Sequence, residues 1–344
     1  MKRVLSAVLC IMFSAMSLCA CSGKTPKTNV ASFDAFVFDT YCNIILFTES
    51  QSASEDVSLA LKKAKGVLDI DGYGKQFIAV RDGQSIKLNQ VQKQILETAD
   101  SVRLLSGGKY DVAIASLISL WDISNATAPP GDTDIMKALS VCGSDKLDIT
   151  GETLTAEVAG AGVDIGSVGK GFAGDYIVKM LKDGGYTSGI VNLGGNITVF
   201  GENPNKDSGL YTVGIKDPND PSKLFCTVSV SDTSVITSGA YERFFTYQGK
   251  RYHHILDPYT GFPSESDLCS ATVISDNGTL ADALSTALFI CGSEKGLEIL
   301  SAVTADYGPV SAVMLKNDGE IVIYNGEELN FKKVSDSYRA GGET

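Results

Sequence analysis

Residues 237–263, TSGAYERFFTYQGKRYHHILDPYTGFP, carry both histidines of the 344-residue chain, His253 and His254. Gly249 predicts the turn of a β-hairpin, and residues 250–256 alternate as a strand does. Because successive side chains of a strand point to opposite faces, we expect the two imidazoles to face different surroundings.

A turn is predicted directly after this strand, at residues 257–261, where Pro258 fixes φ at the first central position. One interpretation is a functional imidazole at the end of a strand, beside a turn that presents Asp257 and Thr260. The other is a strand with one solvated and one hydrogen-bonded histidine, because a histidine by itself is a weak sign of function.

The first twenty residues have the features of an export signal. Lys2 and Arg3 precede an almost wholly apolar run that ends in LCAC at residues 18–21. This ending resembles the bacterial lipobox, in which Cys21 is lipidated and becomes the new N-terminus. An ordinary cleaved signal peptide and an N-terminal anchor are the alternatives. We predict a lipoprotein signal peptide at residues 1–20.

The composition excludes several classes of binding partner and site. The formal net charge is −12 at pH 7, and no basic patch marks a nucleic-acid surface, so we expect no nucleic acid. The polar residues 21–32 predict a tether, and no later apolar run is long enough to span a membrane. No CxxC pair follows Cys21, which argues against zinc and thioredoxin-type sites. We predict mostly buried thiols, with any disulfide left open, at Cys42, Cys142, Cys226, Cys269 and Cys291.

Hydrophobic periodicity and turn residues predict helices and strands along the rest of the chain. The predicted helices are residues 54–68 with Ser54 as N-cap, a helix capped by Asn89 and ended by Gly107-Gly108, and residues 135–141, 170–181 and 279–291. The predicted strands are residues 36–47, 77–80, 85–88 and 270–274, with hairpins that turn at Gly194-Gly195 and at residues 317–319.

Residues 160–181, GAGVDIGSVGKGFAGDYIVKML, are rich in glycine. The pattern matches neither a Walker A loop nor G-x-G-x-x-G. Its loop N–H groups and helix N-terminus could bind phosphate, or the glycines could only allow a tight turn between strand and helix.

Asp282 and Thr286 are four residues apart on a predicted helix, so both side-chain oxygens lie on one face. A carboxylate with hydroxyl or carbonyl oxygens suits a hard cation such as Mg²⁺. The alternative is that Thr279 and Asp282 form a capping box at the start of the helix.

Several of these stretches, in this order, resemble the bacterial flavin transferase family, the FAD:protein FMN transferases of the ApbE type. The stretches are DVAIASLISLW (111–121), VDIGSVGKG (163–171), VNLGGNI (191–197), the quoted 237–263 segment and LADALSTAL (280–288). The resemblance extends from about residue 36 to the end, and the last two stretches are its most specific part.

The resemblance implies an α+β fold related to the T-fold, with mixed or antiparallel sheets flanked by helices. Residues 33–340 would form a single catalytic domain of two lobes, with the FAD site between them. The family binds FAD, requires Mg²⁺, transfers FMN to a threonine hydroxyl of a target flavoprotein subunit and releases AMP. The acceptor resembles Ser/Thr-Gly-Ala-Thr. With Cys21 lipidated, we expect a bacterial cell-envelope protein, anchored on the outer face of the cytoplasmic membrane or the periplasmic side.

The resemblance also assigns roles to individual residues, at the positions of this sequence that match the family motifs. The resemblance implies His254 as the catalytic base, and Asp282, Thr286 and the backbone carbonyl of Ser167 as Mg²⁺ ligands. It implies FAD contacts from Asp111, Val112, Ala113, Asp164, Lys170 and Leu256. His253, on the other face of the strand, is assigned a structural role.

Two stretches depart from the family pattern. Residues 38–40 read Phe-Asp-Thr where the family usually has Met-Gly-Thr, and residues 69–88 lack a Ser-rich stretch ending in Leu-Asn. Both regions help hold the adenine side in relatives, so the contacts carried over do not extend there. Two other functions stay open: a hydrolase that passes FMN to water, and a non-catalytic flavin-binding lipoprotein.

Overall fold

The structure is a computed structural model that describes residues 28–343. The helices within these residues are α1 (Ala53–Leu68), α2 (Gln90–Leu105), α3 (Ala115–Trp121), α4 (Asp132–Ser140), α5 (Gly169–Asp183), α6 (Gly278–Cys291) and α7 (Ser293–Tyr307). The strands are β1 (Val30–Val37), β2 (Thr40–Phe47), β3 (Gln76–Ile78), β4 (Gln84–Lys87), β5 (Leu147–Thr150), β6 (Thr153–Ala156), β7 (Gly162–Asp164), β8 (Gly189–Leu193), β9 (Asn196–Phe200), β10 (Tyr211–Asp217), β11 (Asp220–Val230), β12 (Thr233–Gly239), β13 (Phe244–Tyr247), β14 (Lys250–His253), β15 (Leu268–Ser275), β16 (Ser311–Lys316), β17 (Glu320–Tyr324), β18 (Lys332–Lys333) and β19 (Arg339–Glu343).

A sheet of nine strands, counted over residues 28–343, forms the centre in the order β1-β2-β8-β9-β12-β15-β16-β17-β19. Its neighbours pair antiparallel except β17 with β19. Both faces are buried, which the alternation along one strand shows: Ile236 packs into the cluster that contains α5 and α6, and Val235 packs against β10 and β11. Helices therefore cover one face and a small sheet, β10-β11-β18, covers the other.

Helix α6 is buried on almost every side, as its apolar sequence requires. It packs on β12 and β15 and against α5. A side chain on Gly171 of α5 would collide with the carbonyl oxygen of Gly278 at the start of α6. Glycine at this position therefore lets the two helix backbones touch.

The quoted stretch begins at the end of β12 in the central sheet and continues into a separate two-stranded sheet. Strands β13 and β14 form the predicted hairpin, and its turn residues Gln248 and Gly249 both have positive φ, as a type I′ turn requires. Trp121 packs on Phe245 and Tyr252 of this hairpin and donates from Nε1 to Gly261 O at 2.7 Å. The predicted turn at 257–261 is thus tied to α3.

The first predicted strand, residues 36–47, is wrong: the chain makes a hairpin of β1 and β2. Phe38 and Asp39 form its turn with φ of 56° and 57°. No glycine or proline marks this turn, so the sequence pattern concealed it. Strand β1 begins at Val30, inside the predicted tether 21–32.

The predicted N-cap of α1 is also wrong, and the alternative of a capping box at Thr279 and Asp282 is excluded. Helix α1 begins at Ala53 after Ser52, which makes no side-chain cap bond, so Ser54 is not the N-cap. The N-cap of α6 is Asn277, whose side chain accepts from Leu280 N at 2.9 Å, so Thr279 and Asp282 form no capping box. The Asn89 cap of α2 is confirmed, with a full capping box to Gln92.

The α+β fold class is confirmed by this arrangement and by the solved structures described below. The five predicted thiols are free cysteines in the region that the structure covers. Only Cys42 and Cys226 are buried, and the other three are partly exposed, so the prediction of mostly buried thiols is wrong. Among residues 28–343, no helix has the length and apolar character needed to span a bilayer. The predicted signal peptide and Cys21 lie outside the described residues.

Candidate active site

Asp282 is a buried carboxylate, with 3% of its surface exposed, in the first turns of α6. Its Oδ2 accepts from Gly171 N at 2.8 Å and its Oδ1 from Asn196 Nδ2 at 3.0 Å. Lys170 Nζ lies 4.0 Å from Oδ1. A carboxylate has about four lone-pair directions, so these contacts leave acceptor capacity for a cation.

Thr286 lies one turn after Asp282 and faces β12. Its Oγ1 is 3.1 Å from Ser238 Oγ and donates weakly to Asp282 O at 3.4 Å. Ser238 also contacts Ser285 Oγ at 2.9 Å. The i, i+4 spacing thus places a hydroxyl next to the carboxylate.

The glycine loop before α5 is a tight turn whose N–H groups are largely used within the protein. Gly166 N donates to Asp164 Oδ1 at 2.7 Å, Gly169 N donates to Ile165 O at 2.8 Å, and Gly171 N binds Asp282. This favours the tight-turn interpretation over an open phosphate cradle. Lys170, in the first turn of α5, directs its ammonium toward Asp282.

Tyr110 links the loop to three carboxylates. It is fully buried, and its hydroxyl is 3.2 Å from Ser167 Oγ. Burial raises the pKa of Tyr110, and the negative charges of Asp282, Asp111 and Asp164 raise it further. Ser167 and these carboxylates therefore share one region of the structure.

Asp111 and Val112 are hydrogen-bonded to neighbouring segments, including the strand that ends at Asp164. Asp111 accepts from Ala113 N at 2.8 Å, from Ser144 N at 3.0 Å and from Ser144 Oγ at 2.8 Å, so it shapes the backbone before α3. Val112 O accepts from Asp164 N at 2.8 Å. Burial raises the pKa of Asp164, and the Gly166 N–H and Lys75 oppose that shift.

The two histidines have different environments. His253 is buried; Ile255 N donates to its Nδ1 at 3.3 Å, and its Nε2 lies 3.0 Å from Ser264 O. Because a carbonyl oxygen only accepts, Nε2 carries the proton, and both ring nitrogens are occupied. His253 therefore has no free lone pair.

His254 is only partly buried and lies just beyond the end of β14. Its Nδ1 is 3.2 Å from Arg243 O, so Nδ1 carries the proton and Nε2 holds a lone pair. Burial lowers the pKa of His254 well below its ordinary value, and the charges of Arg243 and Lys170 lower it further. A neutral imidazole with a free nitrogen is the form that acts as a base.

Leu256 is buried in an apolar cluster with Leu117 and Trp121. It pairs with Pro263 across the 257–261 turn. The structure thus places Lys170 and Thr286 beside Asp282, and the charge of Lys170 also acts on the pKa of His254. Ser167 contacts Tyr110, and Val112 O binds Asp164 N. Leu256 belongs to the apolar cluster of α3.

Several residues of this site were not predicted from the sequence. Burial and Asp282 raise the pKa of Glu242, whereas Lys170 and Arg243 lower it, so Glu242 also belongs to the group. Glu242 and Arg243 lie in the quoted 237–263 stretch, where their charge could have identified them. Asn196 appears only through a contact that joins residues 86 positions apart.

The side chains around Asp282 are compatible with Mg²⁺. Among residues 28–343 no three His, Cys, Asp or Glu side chains form a cluster that could hold a metal ion by themselves. Mg²⁺ needs no such cluster, because it keeps several waters and binds through one or two carboxylates plus substrate phosphates. The buried Asp282 carboxylate, with the Thr286 hydroxyl one turn away, meets that requirement.

A cavity of about 420 Å³ lies on the His253 side, away from this group. Arg251, Tyr241 and Ser264 line it, and none of the predicted site residues does. Within the described region the buried Ser264 hydroxyl has no hydrogen-bond partner.

The fold and the site together define an α+β enzyme with a carboxylate, a lysine and a histidine around a buried helix pair. The sequence profile of the ApbE family matches residues 38–307. The FAD:protein FMN transferase of Treponema pallidum is 32% identical over 319 residues, covering 86% of this chain and 87% of the relative. The enzyme of the same name from Klebsiella pneumoniae is 26% identical over 317 residues, covering 90% and 96%. The chain belongs to the ApbE family.

Solved structures share the fold. The flavin transferase ApbE from Vibrio cholerae superposes with a TM-score of 0.71 at 21% identity, covering 90% of this chain and 98% of that one. The ApbE protein from Thermotoga maritima gives a TM-score of 0.71 at 24% identity, covering 85% and 96%. The predicted family and its fold are thereby confirmed.

Proposed function

We propose that this enzyme transfers FMN from FAD to a threonine hydroxyl of a target protein and releases AMP, in a Mg²⁺-dependent reaction. The names of its relatives support the use of FAD and a protein acceptor. The observation that carries the proposal is the position of Lys170, whose Nζ lies 4.0 Å from Asp282 Oδ1 and whose charge helps to lower the pKa of His254.

The chemistry is displacement at phosphorus. The threonine oxygen forms a bond to the FMN phosphorus, while the bond from that phosphorus to the bridging pyrophosphate oxygen breaks and the oxygen leaves with AMP. His254 Nε2 takes the hydroxyl proton, a contribution of about 10²–10⁴-fold in rate for a positioned base. Lys170 offsets the charge of the pyrophosphate, since phosphoryl transfer depends mainly on charge stabilisation and positioning.

Asp282, Thr286 and the carbonyl oxygen of Ser167 are the proposed Mg²⁺ ligands. Bound Mg²⁺ would supply Lewis-acid stabilisation of the pyrophosphate oxygens and of the leaving AMP. Asp164 and the segment Asp111 to Ala113 are proposed to line the FAD pocket, with Leu256 supporting it, between two lobes of the domain at residues 33–340.

The test is incubation of the full chain with FAD, Mg²⁺ and a peptide carrying a Ser/Thr-Gly-Ala-Thr acceptor, followed by intact mass measurement. A peptide mass gain of FMN minus water is the expected result. Free FMN plus AMP with unmodified peptide would identify a hydrolase instead. Unchanged FAD that stays bound would identify a flavin-binding protein.

The location in the cell envelope is proposed from the sequence of residues 1–21. Lipidated Cys21 would anchor the enzyme on the outer face of the cytoplasmic membrane or the periplasmic side, where exported target subunits are accessible. Cys21→Ala should abolish lipid labelling and either release the protein from membranes or leave it unprocessed. Wild-type protein found unlipidated in the cytoplasm would contradict the proposal.

A further inference from the structure

Helices α5 and α6 cap each other through aspartates. The N-cap residue of α5, Val168, makes no side-chain cap bond, and Gly171 N in its first turn donates to Asp282 Oδ2 of α6 at 2.8 Å. In return, Asp175 of α5 accepts from the start of α6. Its Oδ1 receives Gly278 N at 3.0 Å, and its Oδ2 receives Thr279 N at 2.9 Å and Thr279 Oγ1 at 3.0 Å.

The two halves of this arrangement have the same spacing. Gly171 and Asp175 are four residues apart on α5, and Gly278 and Asp282 are four residues apart on α6. The helix backbones meet at the two glycines: the place of a Cβ on Gly278 is 3.0 Å from Gly171 O, and one on Gly171 would collide with Gly278 O. Each aspartate therefore lies one turn beyond the crossing and bonds to the first turn of the other helix.

Only one of these aspartates belongs to the predicted metal ligands. Asp282 faces Lys170 and Asn196, whereas Asp175 binds backbone and hydroxyl donors at the opposite half of the crossing. The three donors that Asp175 receives are at the N-terminus of α6, where a carboxylate is favoured by the exposed N–H groups and the helix dipole. They fix the turn of α6 that immediately precedes Asp282.

We propose that Asp175 is a positioning residue, which holds the Asp282 carboxylate at the distance from Lys170 that the metal and the pyrophosphate require. The inference rests on the proposed function. Without the Asp175 carboxylate, buried N–H groups of Gly278 and Thr279 lose their acceptor, and the first turn of α6 separates from α5. The Asp282 carboxylate then moves with that turn.

The experiment measures Mn²⁺ binding to the full-length protein in detergent, by electron paramagnetic resonance, together with the Mg²⁺ dependence of FMN transfer. For Asp175→Ala we expect Mn²⁺ binding to weaken by about 10–100-fold, the usual effect of removing a residue that orients a metal ligand. The Mg²⁺ concentration for half-maximal rate should rise by the same factor. Asp175→Asn retains one acceptor oxygen and should give a smaller weakening.

Asp267→Ala is the matched control. Asp267 caps α7 from another element in the same way, because its carboxylate accepts from Ser293 N at 2.8 Å and from Ser293 Oγ. It lies at the far end of α6 from Asp282, since α7 follows the last residue of α6. Its loss should lower the melting temperature but leave Mn²⁺ affinity unchanged.

Each outcome decides the matter. Weaker binding in Asp175→Ala with an unaffected control supports the inference, and unchanged affinity in Asp175→Ala, or equal weakening in Asp267→Ala, overturns it. If Asp175→Ala does not fold, Asp175→Asn takes its place, and wild-type affinity in that folded variant overturns the inference. Wild-type protein that binds no Mn²⁺ and transfers no FMN would instead overturn the proposed function, and this inference with it.

Discussion

Lys170 Nζ lies 4.0 Å from Asp282 Oδ1, at the outer limit of an ion pair. The closer donors to Asp282 are uncharged: Gly171 N at 2.8 Å and Asn196 Nδ2 at 3.0 Å. Among the described residues Lys170 has no closer carboxylate partner. Its ammonium therefore retains hydrogen-bond donors for a ligand such as phosphate.

Replacement of Lys170 should lower kcat/KM for FAD. Lys170→Met removes a charge-assisted contact worth about 1.5–3 kcal/mol, so we expect kcat/KM for FAD to fall by about 10–100-fold. Steady-state kinetics with a fixed acceptor peptide measure this. Lys179→Met is the control on the same helix, because Lys179 pairs at the surface with Asp183 at 2.7 Å and should change kcat/KM little. Equal effects of the two substitutions would contradict a role for Lys170.

Substitutions of Asp282 and Asn277 should distinguish metal binding from helix capping. Asp282→Ala should remove most of the activity, which added Mg²⁺ should rescue poorly, because no second carboxylate takes its place in the proposed ligand set. Asn277 is the true N-cap of α6, so Asn277→Ala should lower the free energy of unfolding by about 0.5–2 kcal/mol while activity keeps its Mg²⁺ dependence. Urea unfolding and Mg²⁺ titration of both variants test this. Full activity in Asp282→Ala would remove the proposed metal site.

Local patterns in the sequence predicted the elements but not the contacts between them. The β8–β9 turn at Gly194-Gly195 and the Asn89 cap follow from neighbouring residues, and both are confirmed. The β1–β2 turn was missed because Phe38 and Asp39 adopt left-handed φ without glycine.

Most of the site depends on contacts between residues distant in the chain. Gly171 and Asp282, which bond to each other, are 111 positions apart, and Asp175 lies 103 positions from Gly278. No periodicity in a single sequence relates such pairs. Resemblance to a family could place Asp282 and His254, but the mutual capping of α5 and α6 required the structure.

Asp175 should make stability fall as pH rises. Burial raises its pKa from 3.8 to about 6 in the folded protein, so between about pH 4 and pH 6 the folded state holds a proton that the unfolded chain releases. The free energy of unfolding should decrease across this window by on the order of 2–3 kcal/mol, with no further effect above it. Asp175→Asn does not titrate and should lack this decrease. Parallel curves of unfolding free energy against pH for the two proteins would contradict the prediction.

The acid limb of the pH–rate profile should lie below pH 6.5. Burial first, and then Arg243 and Lys170, hold the pKa of His254 well below 6.5. Its imidazole therefore stays neutral, and able to take a proton, to lower pH than an exposed histidine. Arg243→Gln removes one of the positive charges and should shift the limb of kcat/KM to higher pH. A wild-type limb above pH 6.5, or an unmoved limb in Arg243→Gln, would show that His254 does not set the profile.

The two histidines should differ when each is replaced by alanine. His254 presents a free Nε2 and lies near Lys170 and Arg243, so His254→Ala should abolish FMN transfer through kcat while FAD affinity changes little. Both ring nitrogens of His253 are hydrogen-bonded, Nδ1 to Ile255 N and Nε2 to Ser264 O, and the ring packs edge-on against Phe289. His253→Ala should therefore lower the free energy of unfolding by about 1–3 kcal/mol, because Ser264 O loses its donor, and should retain much of the transfer activity.

Parallel measurements on both variants decide between the histidines: transfer to a threonine peptide by mass spectrometry, FAD affinity by fluorescence titration, and stability by urea unfolding. The FAD titration is needed because a collapsed site would also abolish transfer, and only intact binding assigns the loss to the missing base. Equal loss of transfer in the two folded variants, or an active His254→Ala, would remove the base from the mechanism. The reaction would then depend on metal and positioning alone, with the threonine proton passing to solvent.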